Sequence, residues 1–168
     1  MRPATPLLRG LLAALAVLPA ITAAQDFPQR KAGLWEMAVQ MPGMPAGAMT
    51  TQQCVDARTD ADTMRKALNP DPRAQCKPVQ VKKVGAGYEM AIDCTTPEGR
   101  MSGTTKMSGD FQTRYTMESQ MKFDPPRGGQ SGMQMTFQAQ HKGACPAGMA
   151  PGEVRAGAFS FNPTQRKP

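Results

Sequence analysis

Between residues 110 and 123 the chain alternates without a break. Phe111, Thr113, Tyr115, Met117, Ser119, Met121 and Phe123 fall on one side, and Gln112, Arg114, Thr116, Glu118, Gln120 and Lys122 on the other. Successive side chains of a strand point to opposite faces, so this pattern predicts a strand with one face on a core and one in water. It excludes a helix, whose apolar positions recur every three or four residues. The period returns where Met133, Met135, Phe137 and Ala139 alternate with Gln134, Thr136, Gln138 and Gln140, which leaves residues 124–132 (DPPRGGQSG) as the loop between two strands. Upstream, Trp35, Met37, Val39 and Met41 alternate with Glu36, Ala38 and Gln40. Val79 and Val81 on one side, and Tyr88, Met90 and Ile92 on the other, flank the turn Gly85-Ala86-Gly87, and residues 101–107 form a shorter candidate.

About six strands with wet outer faces and short connections imply antiparallel pairing. The predicted fold is therefore mainly β: a single curved antiparallel sheet, a meander that is partly open or barrel-like, with one short helix. That helix is expected over Asp60–Leu68, with Thr59 or Asp60 as N-cap, Asp62 in the first turn, Arg65 and Lys66 near the end, and Asn69-Pro70 as the stop. Met64 and Leu68, four apart, would face the core. Residues 42–51 read as a long Pro-Gly-Met loop.

The four cysteines, Cys54, Cys76, Cys94 and Cys145, allow three connectivities as two disulfides. Spacing prefers one. Cys76 and Cys94 lie almost symmetrically about Gly85-Ala86-Gly87 and face each other if that tripeptide turns a hairpin, which leaves Cys54 with Cys145. A zinc site is the poorer account, because no C-x-x-C pair occurs and His141 is the only histidine.

Arg2 and Arg9 precede a charge-free apolar run at residues 10–21, followed by Thr22-Ala23-Ala24. That order is expected of a signal peptide cleaved after Ala24. The run is too short to span a bilayer, for which about 20 residues are needed. Residues 1–24 are thus expected to be the signal peptide, 25–154 a disulfide-bonded β domain, and 155–168 a loose tail. The expected location is periplasmic or secreted. The chain carries 20 basic and 13 acidic residues, net +7, and +5 once Arg2 and Arg9 leave with the signal. Those charges are scattered and only 5% of residues are aromatic, which argues against a nucleic-acid partner. No transmembrane span is expected after cleavage.

The Gly33-Leu34-Trp35-Glu36 opening of the first strand, the order of the four cysteines, and Gly143-Ala144-Cys145-Pro146 resemble the bacterial family known as domain of unknown function 3617. The resemblance covers nearly all of the chain after the signal. It implies an exported protein of Gram-negative bacteria and supplies no activity, ligand or catalytic residue.

Catalytic patterns are sparse. A nucleophile-histidine arrangement would have to centre on His141, and the cysteines are better explained as bridged. The mature chain holds no G-x-S-x-G, H-E-x-x-H, P-loop or Rossmann glycine pattern. Asp56, Asp60 and Asp62 form the one acidic cluster, and helix capping accounts for it. The protein is therefore expected not to be an enzyme.

Methionine is the chemical oddity, with 14 residues in the chain. Two roles follow. A curved sheet with a Met-rich face is expected to bind a small apolar ligand, a lipid or an envelope protein, with Trp35, Met37, Tyr88, Met90, Tyr115 and Met117 lining the site and no cofactor. Alternatively, thioether sulfur prefers Cu(I) and survives in an oxidising compartment, so Met133, Met135 and His141, helped by Met41 and Met44, would form a Cu(I) site. Against copper, the same strand positions form the apolar face, where Met is ordinary core filler.

Overall fold

The computed structural model describes residues 27–165 apart from 46, 48 and 69–72. The signal-peptide segment lies outside the described residues, as does the Asn69-Pro70 stop. One antiparallel sheet organises the rest. Its strands are β1 (Gly33–Gln40), β2 (Met49–Val55), β3 (Gln75–Cys76), β4 (Gln80–Val84), β5 (Gly87–Thr96), β6 (Gly99–Gly109), β7 (Arg114–Arg127), β8 (Gln130–Gly143), β9 (Val154–Ala156) and β10 (Phe159–Phe161). The helix α1 (Asp60–Leu68) sits between β2 and β3. The spatial order is β10-β9-β2-β1-β8-β7-β6-β5-β3, with β4 also on β5, and the two ends do not pair, so the sheet is open. The mainly β, partly open class with one short helix is as the alternation predicts, and the described residues form ten strands rather than about six.

β5 to β8 form a meander of long hairpins. Their register places Met90 opposite Thr105, Thr105 opposite Ser119, and Ser119 opposite Met135, so one face carries the apolar set of every strand. β1 closes onto β8, with Met37 beside Ala139, and β2 onto β1, with Thr51 beside Met37. At Gly33 the φ of 128° is open only to glycine, and a Cβ there would strike the Gly143 carbonyl and the His141 ring, so β1 and β8 can approach where their register shifts.

Three differences from the sequence pattern have physical causes. The strand expected from residue 110 begins at Arg114, because Asp110 folds the preceding residues into a turn. Its carboxylate accepts the backbone N–H groups of Gln112 (2.8 Å), Thr113 (2.7 Å) and Arg114 (3.1 Å). Within that turn Phe111 takes φ 56° and drives its ring into the core, 5.5 Å from Tyr115 and 5.6 Å from Tyr88. The expected loop at 124–132 is mostly strand, and the connection shrinks to Gly128-Gly129, both at positive φ. The loose tail expected from residue 155 is instead part of the fold. β9 and β10 extend the sheet edge beside β2, and a 3-10 turn at Pro163–Gln165 follows.

Each disulfide ties a weakly held segment to a well-paired strand. Cys76 faces Cys94 across β3 and β5 and is bridged to it. The β4-β5 hairpin alone would miss this pairing by one residue, since Gln80 opposes Ala91. The shift is absorbed at Lys77-Pro78-Val79, where Pro78 has no N–H to offer a ladder. Cys54 is bridged to Cys145, 91 residues away, and its backbone bonds to Gly152 and Glu153.

Two predictions follow from these devices. The chain-entropy model assigns about 4 to 5 kcal/mol to a loop of the Cys54–Cys145 length and about 3 kcal/mol to that of Cys76–Cys94. Urea unfolding is therefore expected to show the greater loss for Cys54→Ala with Cys145→Ala. Hydrogen bonds from Thr113 and the following backbone hold the Asp110 carboxyl well below the usual carboxylate range. A depressed carboxyl stabilises above its unfolded value and loses that contribution as pH falls through its folded one. Asp110→Asn should thus lower the melting temperature at neutral pH and narrow the gap from wild type at strongly acid pH.

Candidate functional site

The concave face of the sheet is packed at one end and open at the other. At the packed end Trp35, wholly buried, lies 5.1 Å from Tyr115, which stacks in turn on Phe111. Phe27, Val55, Met64, Met90, Met107 and Ala139 complete this core. α1 crosses the same face: Thr63 and Met64 are buried against it, and Asp62 with Lys66 and Arg65 form solvent-side ion pairs. Between the helix and the rest of the sheet a cavity of about 550 Å³ remains, within the size range of small-molecule sites.

Methionine is its commonest lining residue. Met37, Met41, Met49, Met64, Met90, Met101, Met117, Met121 and Met135 line the cavity, with Val39, Leu68, Ile92, Phe137, Val154 and Phe161. Met41 apart, these side chains come from eight strands, whose period aims them inward, and from α1, which adds Met64 and Leu68. Gly103 contributes by absence: a Cβ there would collide with Met121 Sδ, so glycine lets that thioether lie against the sheet.

Polar groups are concentrated at the packed end. Arg30, 3% exposed, reaches from the segment before β1 to Asp60 at the start of α1, also 3% exposed. Its Nε donates to both Asp60 carboxylate oxygens at 3.1 Å, and Nη2 donates to Oδ1. Its Nη1 donates to Gln53 Oε1 and to the Tyr115 hydroxyl oxygen, each at 2.9 Å. The Tyr115 hydroxyl donates to Met37 Sδ at 3.7 Å. Burial opposes the charge on Arg30, but the contacts with Tyr115 and Asp60 outweigh it and raise its pKa. On the sheet, Thr105 and Ser119 hydrogen-bond each other at 3.0 Å. Thr63 donates to the Thr59 carbonyl, so Thr59 rather than Asp60 occupies the cap position.

Of the six residues expected to face a ligand, Met37, Met90, Tyr115 and Met117 line the cavity. Trp35 is sealed behind Tyr115, and Tyr88 packs against Phe111 at the closed end. The residues expected for copper do not come together. Met133 and Met135 share the inner face of β8, with Met133 opposite Met121. His141 is six residues further along, about 20 Å on a strand. Its Nε2 is 3.1 Å from the Ala32 carbonyl and its ring lies edge-on to Trp35. Met41 lines the cavity and Met44 stands exposed beside it. Among the described residues no group of three His, Cys, Asp or Glu side chains could hold a metal ion.

Sequence reasoning missed Arg30, Asp60 as its partner, Gln53, and the whole inner face of β2. Residues 27–32 carry no periodicity, and β2 reads MTTQQCV, whose inner residues Thr51 and Gln53 are polar. A lone arginine before the first strand was the one available signal, and it looks like any surface charge.

Because an uncompensated buried charge is costly, Arg30→Met or Asp60→Asn alone is expected to lose about 3–5 kcal/mol in urea unfolding. The double variant Arg30→Met with Asp60→Leu should recover most of that loss.

A family model described as "Protein of unknown function (DUF3617)" matches residues 30–145, from the buried arginine to the last cysteine. No curated protein and no solved structure matches the chain. No described helix is long and apolar enough to cross a membrane.

Proposed function

The chain belongs to the DUF3617 family of unknown function, and we propose that it is an exported, non-catalytic domain that binds a small apolar ligand in the concave face of its sheet. One observation carries the reading: a roughly 550 Å³ cavity walled by methionine and aliphatic side chains from seven strands and a helix. A soluble domain that merely needed a core would close such a space, because each unfilled void forfeits packing energy. Methionine suits the opposite purpose. Its unbranched thioether re-packs around ligands of different shape at little cost.

Export is supported by the leader-like residues 2–24 and by two bridged cysteine pairs, which persist in oxidising compartments such as the periplasm or the exterior of the cell. The non-catalytic reading rests on the polar groups near the cavity being engaged with one another rather than poised as nucleophile and base. Copper is the competing occupant, supported by Met121, Met133 and Met135 on adjoining inner positions, and it would be a site of thioethers alone.

The test uses N-phenyl-1-naphthylamine, which fluoresces in apolar sites. Wild-type protein is expected to bind it, and Met117→Trp or Met135→Trp to weaken binding by at least about tenfold, or 1.4 kcal/mol, with an unchanged far-ultraviolet circular dichroism spectrum. Absence of binding by wild type would remove the proposal. Cu(I) binding tighter than micromolar that is lost in Met133→Leu with Met135→Leu would favour the metal instead. Native mass spectrometry of protein taken from its producing cells would identify a retained ligand directly.

A further inference from the structure

The cavity wall has a gradient from end to end. At the floor Arg30 is 3%, Tyr115 3% and Gln53 6% exposed, whereas Met49 is 42% exposed at the far end of β2, with exposed Met44 in the loop beyond it, and Phe161 on the edge strand β10 is 44% exposed. The floor is thus the sealed end, and the mouth runs from the β1-β2 loop to Phe161 at the sheet edge.

The charged groups of the deep wall are already paired. Arg30 is compensated by Asp60 and spends its remaining described bonds on Gln53 and Tyr115. Tyr115 is engaged with Met37, Thr105 with Ser119, and Thr63 with the Thr59 carbonyl. Among the described residues the one buried side-chain nitrogen or oxygen without a partner is Arg127 Nε, which is not in this wall. A charged headgroup at the floor would be buried without a free counter-charge to meet it, and that is costly. The Arg30–Asp60 pair is neutral as a unit, and an added anion would leave the site with a net buried charge.

We propose that the cavity takes one acyl or alkyl chain end-first, its terminal methyl toward the Arg30 floor and its headgroup left at the mouth in water. This rests on the apolar-site reading above and adds orientation and specificity to it. The protein would measure chain length and ignore the headgroup. Each buried methylene contributes its transfer free energy, while a solvated headgroup contributes little in either direction.

The single tryptophan makes the orientation measurable. Trp35 lies directly behind Tyr115 at the floor and has no exposed surface, so only a heavy atom delivered to the floor quenches it at short range. The wild-type protein is titrated, below micelle concentrations, with dodecanoate brominated either at the terminal carbon or next to the carboxylate. It is then titrated with unlabelled dodecanoate, dodecyl maltoside and dodecyltrimethylammonium, and with octanoate. The expected result is stronger quenching by the terminal bromide, affinities for the three dodecyl headgroups within about tenfold of one another, and octanoate weaker by at least about tenfold. If the dodecyl compounds bind but the carboxylate-side bromide quenches equally or more, or one headgroup is preferred by more than about tenfold, the orientation is wrong and the apolar site stands. If none of them binds, the orientation is overturned together with the apolar-site reading.

Discussion

The contact between Arg30 and Asp60 decides where the protein is solid and where it is hollow. It joins the segment leading into β1 to the first turn of α1, and through Gln53 and Tyr115 it reaches β2 and β7. Four parts of the chain remote in sequence therefore meet at one guanidinium. Two charges taken out of water lose several kcal/mol of hydration each, and their attraction offsets this only with good geometry and further hydrogen bonds. Arginine suits the position because its planar fork can serve a carboxylate on one edge and two neutral acceptors on another. Lysine could satisfy the carboxylate but not the spread of partners. A buried pair of this kind contributes little net stability, and its effect here is positional: it fixes the helix across the sheet at one end.

The cavity follows from that anchoring. α1 is nine residues long and its first turn is tied at the floor, so its body lies across a sheet whose long strands run on beyond the packed core. A curved sheet and a short straight helix cannot stay in contact along their whole length. The space is left where methionine is densest. Leucine or isoleucine in these places would present stiffer branched surfaces, whereas thioether chains can fill part of the volume without a ligand and withdraw when one enters.

What was legible in the sequence is what has a local cause. The alternation at Met133 to Ala139 reports a strand because pleating is a property of neighbouring residues, and α1 announces itself by acids, bases and an apolar pair at helical spacing. Cys76 and Cys94 could be matched because a hairpin reflects the chain about its turn, and the mirror survives only because Lys77-Pro78-Val79 takes up the odd residue. Phe111 shows the limit. Its place in the alternating series is indistinguishable from that of Tyr115, yet three backbone N–H groups gathered by Asp110 turn it out of the strand. β2, β9 and β10 were illegible for another reason: an inner face made of Thr51, Gln53 and a few apolar residues acquires its meaning only from what packs on it. The same holds at the site, where the methionines of β5, β7 and β1 could be placed on one face but Arg30, the group that shapes the pocket, has all its partners at long range.

The two ends of the concave face also divide rigidity between them. Rings at the closed end, Trp35, Tyr115, Phe111 and Tyr88, contact one another at tilted, stacked or edge-on geometries, and such contacts tolerate little rearrangement. The Cys54–Cys145 bridge and the backbone bonds of Cys54 to residues 152 and 153 hold the outer side of β2. Toward the mouth these restraints give way to methionine. Local opening is easiest where buried apolar contacts are fewest, so the mouth can deform without disturbing the floor. Under the proposed function, a ligand filling the hollow would supply the missing contacts and stabilise the folded state logarithmically with its concentration above Kd. The division therefore lets one small domain keep a strict framework at one end and an adaptable, incompletely packed surface at the other, each at the place where its chemistry is found.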